Sequence, residues 1–209
     1  MTSEVKWPIC PLKGTQRRSF HLRGQMRSND RGAPSVFGEN EMVIRKIKED
    51  DVENFYRMMC QLDEETDYML YEPGERQVRT TDLTRLKATV KEAASGQDLL
   101  LVAENDSGEI VGYIWAERGR LNRIKHTAYI VVGIRRAYQH QGIGAEFFRL
   151  LENWAKENGI VRLELTVECE NTGAKSLYEK YGFVIEGLRP KSMKVDGRFV
   201  DEYYMGRVI

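Results

Sequence analysis

The fold of this chain is decided by the stretch Tyr129-Ile-Val-Val-Gly-Ile134, which is followed by Arg135-Arg-Ala-Tyr-Gln-His-Gln-Gly-Ile-Gly144. The apolar, β-branched run predicts a strand. A polar loop separates it from a helix over Ala145 to Asn158, whose apolar residues recur at i, i+3, i+4 spacing. Gly142 and Gly144 stand where that helix begins. Free backbone amides and the helix dipole favour an anion there, and glycine allows close approach, so the stretch predicts a phosphate-binding loop.

Two common phosphate loops are excluded by what the stretch lacks. No Lys-Ser/Thr pair follows the glycines, as an ATP loop requires, and Phe147 breaks the Gly-x-Gly-x-x-Gly pattern of dinucleotide sites. The order Gln139-x-x-Gly142-x-Gly144 resembles the acetyl-CoA pyrophosphate loop of the GNAT family of N-acetyltransferases. For the two glycines alone, a helix packed tightly on a strand is the alternative interpretation.

A second motif follows downstream. The segment Arg162 to Val167 alternates polar and apolar residues, as a half-buried strand does. Asn171 is then a suitable helix N-cap, Gly182 a suitable helix end, and Tyr178 lies near the same helix face as Asn171. This order is similar to the segment that closes the acyl-CoA site of GNAT enzymes. The resemblance implies that Asn171 contacts the cofactor arm and that Tyr178 protonates the departing thiolate, whereas a tyrosine merely packed on the sheet is the alternative.

The C-terminal residues predict a hairpin. Strands over Val184 to Val195 and Arg198 to Met205 flank Asp196-Gly197, a strong turn signal. Their pattern resembles the closing hairpin of the GNAT branch that includes ribosomal-protein, amino-acid and polyamine acetylases.

The remaining patterns complete the predicted fold. Helices are expected from Asp50 or Asp51 to Leu62 and from Thr81 or Asp82 to Ser95, and a polar loop over Asp63 to Val78. Further strands are expected over Met42 to Lys48, Leu99 to Glu104, Glu109 to Arg118 and Arg123 to Ile134. The order β-α-α-β-β-β-α-β-α-β-β is the GNAT order, an α/β fold with a mixed sheet and helices on both faces.

Composition predicts one soluble enzyme domain over residues 42–209. The chain has 209 residues, 41% of them hydrophobic, and a net charge of zero, which gives nucleic acid no obvious attraction. Three cysteines, Cys10, Cys60 and Cys169, lack metal-ligand or disulfide-framework spacing, so we expect no metal and a reducing, cytoplasmic location. No apolar run is long enough to cross a membrane. Residues 1–41 are basic and aperiodic, and we expect a flexible leader there.

The resemblance also implies a mechanism in which acetyl-CoA is the donor and the acetyl group moves directly to an amine in a ternary complex. The backbone of Val132, Gly133 and Ile134 would hold the pantetheine arm and polarise the carbonyl. The pyrophosphate would be held by amides of Gln139, His140, Gln141, Gly142, Ile143, Gly144 and Ala145. The base stays open among His126, expected on the strand face of Val132, and Glu117, Glu168 and Glu170. An acyl-CoA-binding sensor or interaction module without catalysis is the alternative function.

The acceptor is expected to be a small-molecule or peptide amine. In this fold the loop between the first two helices borders the acceptor pocket, and here Asp63 to Glu72 contains five acids and two tyrosines. Negative charge and aromatic rings suit a cationic amine, which makes Glu64, Asp67 and Tyr68 substrate candidates. A merely solvated acidic loop is the alternative. The oligomeric state is left open, with a homodimer as one alternative.

Overall fold

A mixed sheet of eight strands forms the centre of the computed structural model, which describes residues 35–37, 42–80 and 82–209. In chain order the strands are β1 (Ser35–Phe37), β2 (Met42–Lys46), β3 (Leu99–Glu104), β4 (Ile110–Arg118), β5 (Thr127–Ile134), β6 (Arg162–Glu168), β7 (Val184–Val195) and β8 (Arg198–Val208). Their order across the sheet is β1-β2-β3-β4-β5-β6-β8-β7. Neighbouring strands are antiparallel except β5 and β6, which run parallel.

The described part of the chain contains five α-helices: α1 (Val52–Glu65), α2 (Glu75–Arg79), α3 (Thr84–Ala94), α4 (Ile143–Glu157) and α5 (Thr172–Lys180). Apolar residues of α1 and α3 form one core, and those of α4 and α5 form the other. Alternate side chains of β5 divide between the cores, with Val131 facing α1 and with Val132 and Ile134 facing α4. We call these faces the α1 face and the α4 face.

The α4 face is held together by aromatic packing. Phe148 is fully buried, and its ring contacts those of Tyr178, Tyr181 and Phe183 at centroid distances of 5.8, 4.9 and 5.9 Å. Complete burial of such a side chain stabilises a fold by about 1.5–3 kcal/mol. The apolar stripe of α4 therefore fixes α5 against the sheet, and with it the position of Tyr178.

The sheet opens between β5 and β6. These strands pair only where Thr127 to Tyr129 lie beside Arg162 to Glu164, and their later residues have no partner in each other. The amide of Arg135 donates to the carbonyl of Val111 in β4, at 2.9 Å. Because successive peptide groups of a strand point to opposite sides, the backbone groups of Val132 and Ile134 point into the opening. We call this opening the β5–β6 gap.

The predicted element order is confirmed, with two additions. Strand β1 and the short helix α2 were not expected, and α2 falls inside the predicted loop of residues 63–78. Helix α1 also continues past Leu62 to Glu65, because Asp63 and Glu65 form ion pairs with distant arginines. The hairpin turn lies where the sequence predicts it. Asp196 and Gly197 both have the positive φ, 47° and 79°, that a two-residue hairpin turn requires.

The predicted start of β5 at Arg123 was wrong. The strand begins at Thr127, since amide-to-carbonyl bonds from Ile124 to Leu121 and from Thr127 to Ile124 fold the preceding residues into turns. His126 consequently lies outside the strand and is exposed, and it does not share the face of Val132. The apolar residues of this segment, Leu121 and Ile124, are 70% and 46% exposed and belong to neither core, so the segment has no buried face like that of a strand.

Most of the predicted leader, residues 1–41, lies outside the described residues. Its described part, Ser35–Phe37, pairs antiparallel with β2, with Ser35 opposite Ile44 and Phe37 opposite Met42. The boundary at residue 42 stays a prediction. Among the helices that the structure describes, none is long and apolar enough to span a bilayer.

Candidate active site

The predicted phosphate loop connects β5 to α4 and is braced by its own glutamines. The side-chain amide of Gln139 donates to the carbonyl of Ile134 at 3.0 Å, and that of Gln141 donates to the carbonyl of Ala137 at 2.9 Å. His140 has a positive φ of 61°, and Gly142, the N-cap of α4, has a φ of 88°. Two residues of the loop therefore have a left-handed backbone conformation before the helix begins, and at Gly142 the glycine adopts this conformation without strain.

Backbone amides at the start of α4 point away from the helix. The first amide bonded within it belongs to Glu146, which donates to the carbonyl of Gly142 at 3.1 Å. The amides of Ile143, Gly144 and Ala145 precede it and have no intrahelical partner by position. The amide of Gln139 differs, because it donates to the carbonyl of Arg136 at 3.3 Å. The anion-binding capacity of the loop thus lies at the helix start.

Gly144 has a second role, in packing. A Cβ atom at this position would lie 3.1 Å from Cδ2 of Leu177, so glycine lets α5 approach the first turn of α4. An open pocket of about 490 Å³ borders Gly142 and Ala145 and extends along α4 towards Arg149. The helix start is therefore accessible on its outer side and closely packed on its inner side.

Tyr178 lies in α5 with its ring in the core. The side chain of Asn171 caps the helix by accepting from the amide of Ala174 at 3.1 Å, as the sequence predicts. Tyr178 is only 7% exposed, and no described residue makes a hydrogen bond to its hydroxyl. Burial raises its pKa well above the ordinary tyrosine value, and the nearby phenols of Tyr113 and Tyr129 raise it further. Those two side chains belong to the α1 face, so the Tyr178 phenol lies near the β5–β6 gap.

Gly133 is required sterically rather than for hydrogen bonding. A Cβ atom there would lie 2.4 Å from Cδ2 of Leu62 and 2.9 Å from Cε1 of Tyr113. By strand alternation its backbone groups face β4, whereas those of Val132 and Ile134 face the gap. Burial raises the pKa of Tyr113 to about 12. Glycine at position 133 therefore allows Leu62 of α1 and the un-ionised Tyr113 to pack against β5.

Two acids of the predicted acceptor loop are held in ion pairs. Asp63 is 1% exposed and accepts two bonds from Arg76, at 2.5 and 2.9 Å, while the guanidinium of Arg76 lies 4.3 Å from the ring centre of Tyr71. Glu65 binds Arg135 at 3.0 Å and accepts from the backbone amide of Arg136 at 2.6 Å. These pairs attach α1 to α2 and to the phosphate loop.

The three substrate candidates of that loop are exposed. Glu64, Asp67 and Tyr68 all face solvent. Asp67 nevertheless lies near enough to Glu168 of β6 to affect its pKa. The loop therefore comes close to the C-terminal end of β6 on the α1 face.

The four candidate bases occupy very different environments. His126, Glu117 and Glu170 are exposed, and Glu117 lies opposite Tyr129, beside the closed end of the gap. Glu168 is buried, and one of its oxygens, Oε1, has no hydrogen-bond partner among the described residues. Burial raises the pKa of Glu168, and the negative charges of Glu202, Asp67 and Glu170 raise it further.

Sequence reasoning missed several residues of this region. Glu202 in β8 lies directly opposite Glu168 in β6 and accepts a bond from Arg189 of β7 at 3.0 Å. Tyr113 and Arg76 were also not expected near the site. The alternation of residues along a strand does not predict these neighbours, because their positions near the site depend on the register between strands or on the presence of α2.

The fold and site define a class: α/β proteins whose mixed sheet opens between two parallel strands, beside a glycine-opened helix start. The chain belongs to the GNAT acetyltransferase family, because residues 56–183 match the family described as Acetyltransferase (GNAT).

Relatives with known names agree with this assignment. The chain is 32% identical over 105 residues to the L-amino acid N-acetyltransferase AaaT of Escherichia coli (strain K12). The aligned residues make up 48% of this chain and 63% of that protein. It is 38% identical over 108 residues to the N-alpha-acetyltransferase RimI of Mycobacterium tuberculosis (strain ATCC 25618 / H37Rv), covering 51% of this chain and 64% of that one. The chain thus spans less than two thirds of the length of these relatives.

Solved structures agree on the fold. A GNAT-family acetyltransferase from Streptococcus pneumoniae superposes with a TM-score of 0.75 and 27% identity, over 81% of this chain and all of that one. The yncA protein of Salmonella typhimurium, solved with its cofactor acetyl-CoA, superposes with a TM-score of 0.69 at 20% identity, over 80% of this chain and 94% of that one.

Proposed function

We propose that this protein is an acetyl-CoA-dependent N-acetyltransferase that moves the acetyl group directly to an amine in a ternary complex. The observation that carries this proposal is the position of Tyr178, a buried phenol with a raised pKa that lies near a gap in the sheet. The free amides at the start of α4 lie on the same side of the sheet. An acid beside an opening with an adjacent anion site is what acyl transfer from a phosphorylated thiol carrier requires.

The donor, a substrate of the reaction, would lie along β5. The amides at Ile143, Gly144 and Ala145 would bind its pyrophosphate, because they are unpaired at a helix N-terminus. The backbone groups of Val132 and Ile134 would bind the pantetheine arm as an added strand would. The Ile134 carbonyl already accepts from Gln139, so its amide is the group available.

Tyr178 would act as the general acid. A thiolate leaving an acetyl group benefits from a proton, and a phenol with a raised pKa holds its proton at neutral pH and is available to donate it as the C–S bond breaks. The amide of Val132 or Ile134 would donate to the developing oxyanion. Asn171 would act mainly through position, because its side-chain oxygen is used to cap α5.

The acceptor would be an amine on a small molecule or a peptide. The named relatives support this class, since AaaT acts on L-amino acids and RimI on α-amino groups according to their names. The exposed residues Glu64, Asp67 and Tyr68 would border the acceptor, with their charges and ring attracting a cation.

The test is release of CoA from acetyl-CoA in the presence of polyamines, amino acids, aminoglycosides and N-terminal peptides, with acetylated product identified by mass spectrometry. Acetyl-CoA binding is measured separately by titration calorimetry. Release with at least one amine, above the rate of hydrolysis without acceptor, is the expected result. Tight binding without release for any amine would instead indicate an acyl-CoA-binding module without catalysis.

A further inference from the structure

Glu168 is buried in a manner that costs stability. It ends β6, whose Leu165 and Val167 face the α4 core, and its own side chain lies on the opposite, α1 face with Thr166. The residue is 7% exposed, and its Oε1 atom has no hydrogen-bond partner among the described residues. Buried acceptors without partners are uncommon in folded proteins and destabilise them. A carboxylate in this state therefore needs an explanation other than stability.

The surroundings of Glu168 are negative. Glu202 faces it from β8, Asp67 from the segment after α1, and Glu170 follows it in the chain. Arg189 of β7 is bound to Glu202, and its guanidinium lies over the ring of Tyr204 at 5.2 Å. In the described part of the chain no Lys, Arg or His forms an ion pair with Glu168 itself. A cationic group supplied from outside the chain would complete this environment.

Glu168 also lies at the edge of the β5–β6 gap. The last residue of β6 paired with β5 is Glu164, so Glu168 lies beyond the point where the strands separate. Between them, Tyr129 and Thr166 join the two strands by a hydroxyl hydrogen bond of 2.9 Å. Tyr178 reaches the gap from the α4 face, and Glu168 lies on the α1 face. An acid and a carboxylate thus lie on opposite sides of the opening.

We propose that Glu168 receives the ammonium group of the acceptor and acts as the general base. This rests on the function proposed above and identifies the acceptor as an amine that enters in its cationic form. An N–H bond of the ammonium breaks, and its proton moves to the Glu168 carboxylate. The nitrogen lone pair then forms the N–C bond to the acetyl carbon, while the π pair of the carbonyl moves to its oxygen and gives the tetrahedral adduct.

The remaining protons balance. Collapse of the adduct breaks the C–S bond, and the thiolate takes the proton of Tyr178. The second surplus proton on nitrogen restores the Tyr178 phenol, and Glu168 releases its proton to solvent. The sum is one amide, one thiol and one proton from an ammonium ion and a thioester.

The decisive experiment compares Glu168→Gln with Glu164→Gln, which removes the same charge from the same face of β6 at a position paired with Arg162. Acceptor and donor are those for which the wild type releases CoA. We expect kcat of Glu168→Gln to fall by about 10²–10⁴-fold, the usual range for a general base, with acetyl-CoA affinity unchanged. Glu164→Gln should retain kcat. A Glu168→Gln enzyme with wild-type kcat, when chemistry is rate-limiting, overturns the proposal.

The pH profile gives a second readout. The kcat of the wild type should rise with pH as Glu168 ionises, at a raised pKa set by burial and by Glu202, Asp67 and Glu170, and Glu168→Gln should lose this acidic limb. In the wild type the limb should occur at the same pH for a peptide α-amino acceptor and for an alkylamine, whose pKa values are about 7.7–8.0 and about 10.4. A limb that follows the amine would overturn the proposal even if the variant did not fold.

A readout without turnover is thermal stability. A raised pKa in the folded state means that the wild type loses stability as pH rises from the ordinary glutamate value through the raised one. The melting temperature of Glu168→Gln should therefore exceed that of the wild type increasingly over this range. A constant difference would contradict a buried, ionising Glu168. Failure of the wild type to acetylate any amine would be a different result, since it would refute the proposed function itself.

Discussion

The two sides of the β5–β6 gap present different chemical groups, mainly main-chain groups on one side and side chains on the other. On the α4 face, backbone amides, glycines and packed rings form the surface, and the polar groups are fixed by the main chain. On the α1 face, charged side chains lie beside the gap. Some are neutralised in pairs, such as Asp63 with Arg76, whereas Oε1 of Glu168 has no hydrogen-bond partner among the residues that the structure describes. If the substrates bind as proposed, the α4 face presents main-chain groups to the donor, and the α1 face presents side chains to the acceptor.

The largest expected effect would test the α4 face. Tyr178→Phe keeps the ring and its contacts with Phe148 while removing the proton donor. We expect kcat to fall by about 10²–10⁴-fold with acetyl-CoA affinity little changed. Tyr203→Phe, which removes a phenol from the edge of the same core, is the control and should retain kcat. Wild-type kcat in Tyr178→Phe, with chemistry shown to be slow, would remove this residue from the mechanism.

The next effect concerns the buried pair of the α1 face. Arg76→Met leaves the Asp63 carboxylate buried without a cation, and we expect the free energy of unfolding to fall by about 3–5 kcal/mol. Urea denaturation measures it. The double variant Asp63→Leu with Arg76→Met removes both charges and should recover part of the loss. If the comparison of faces is correct, acetyl-CoA affinity should survive in the double variant; its loss would show that the faces are not separable.

A smaller effect is expected at the phosphate loop. Gly142 has a φ of 88°, which a β-branched residue adopts only with strain, so Gly142→Val should displace the amides at the start of α4. We expect acetyl-CoA affinity to fall by roughly tenfold, equivalent to about 1.4 kcal/mol, in titration calorimetry. Gly173→Ala is a matched control, because a Cβ atom there meets nothing within 4 Å. Equal affinities in a folded Gly142→Val protein would show that the loop is assigned wrongly.

The smallest effect should come from the exposed acids. Replacing Glu64 and Asp67 together by Gln and Asn should raise KM several-fold for a cationic acceptor and leave it nearly unchanged for a neutral amine, since exposed charges contribute about 0.2–1 kcal/mol. Salt should weaken the selection, because screening acts beyond about 10 Å at 0.1 M. A series of acceptors differing only in charge provides the measurement. Equal changes in KM across the series would show that these acids are solvated surface residues that do not select the acceptor.

The same contrast explains what could be predicted from the sequence. The loop glycines, the Asn171 cap and the Asp196-Gly197 turn are local signals, because neighbouring residues alone determine them. The opposition of Glu168 and Glu202 depends on the register of β6 with β8, strands far apart in the chain. The last turn of α1 is joined to α2 by the pair of Asp63 with Arg76 and to the loop after β5 by the pair of Glu65 with Arg135, and both pairs connect separate segments of the chain. Side-chain sites of this kind are not visible until the sheet is assembled.

Glu65 connects the two sides of the proposed substrate site. It ends α1 and is bonded to Arg135 and to the backbone of Arg136, where the loop between β5 and α4 begins. A ligand that shifts the end of α1 would therefore also shift the first residues of the loop. Thermodynamic linkage is reciprocal, so the donor would change acceptor affinity by the same factor. If the two substrates bind as proposed, one carboxylate would thus couple donor affinity to acceptor affinity.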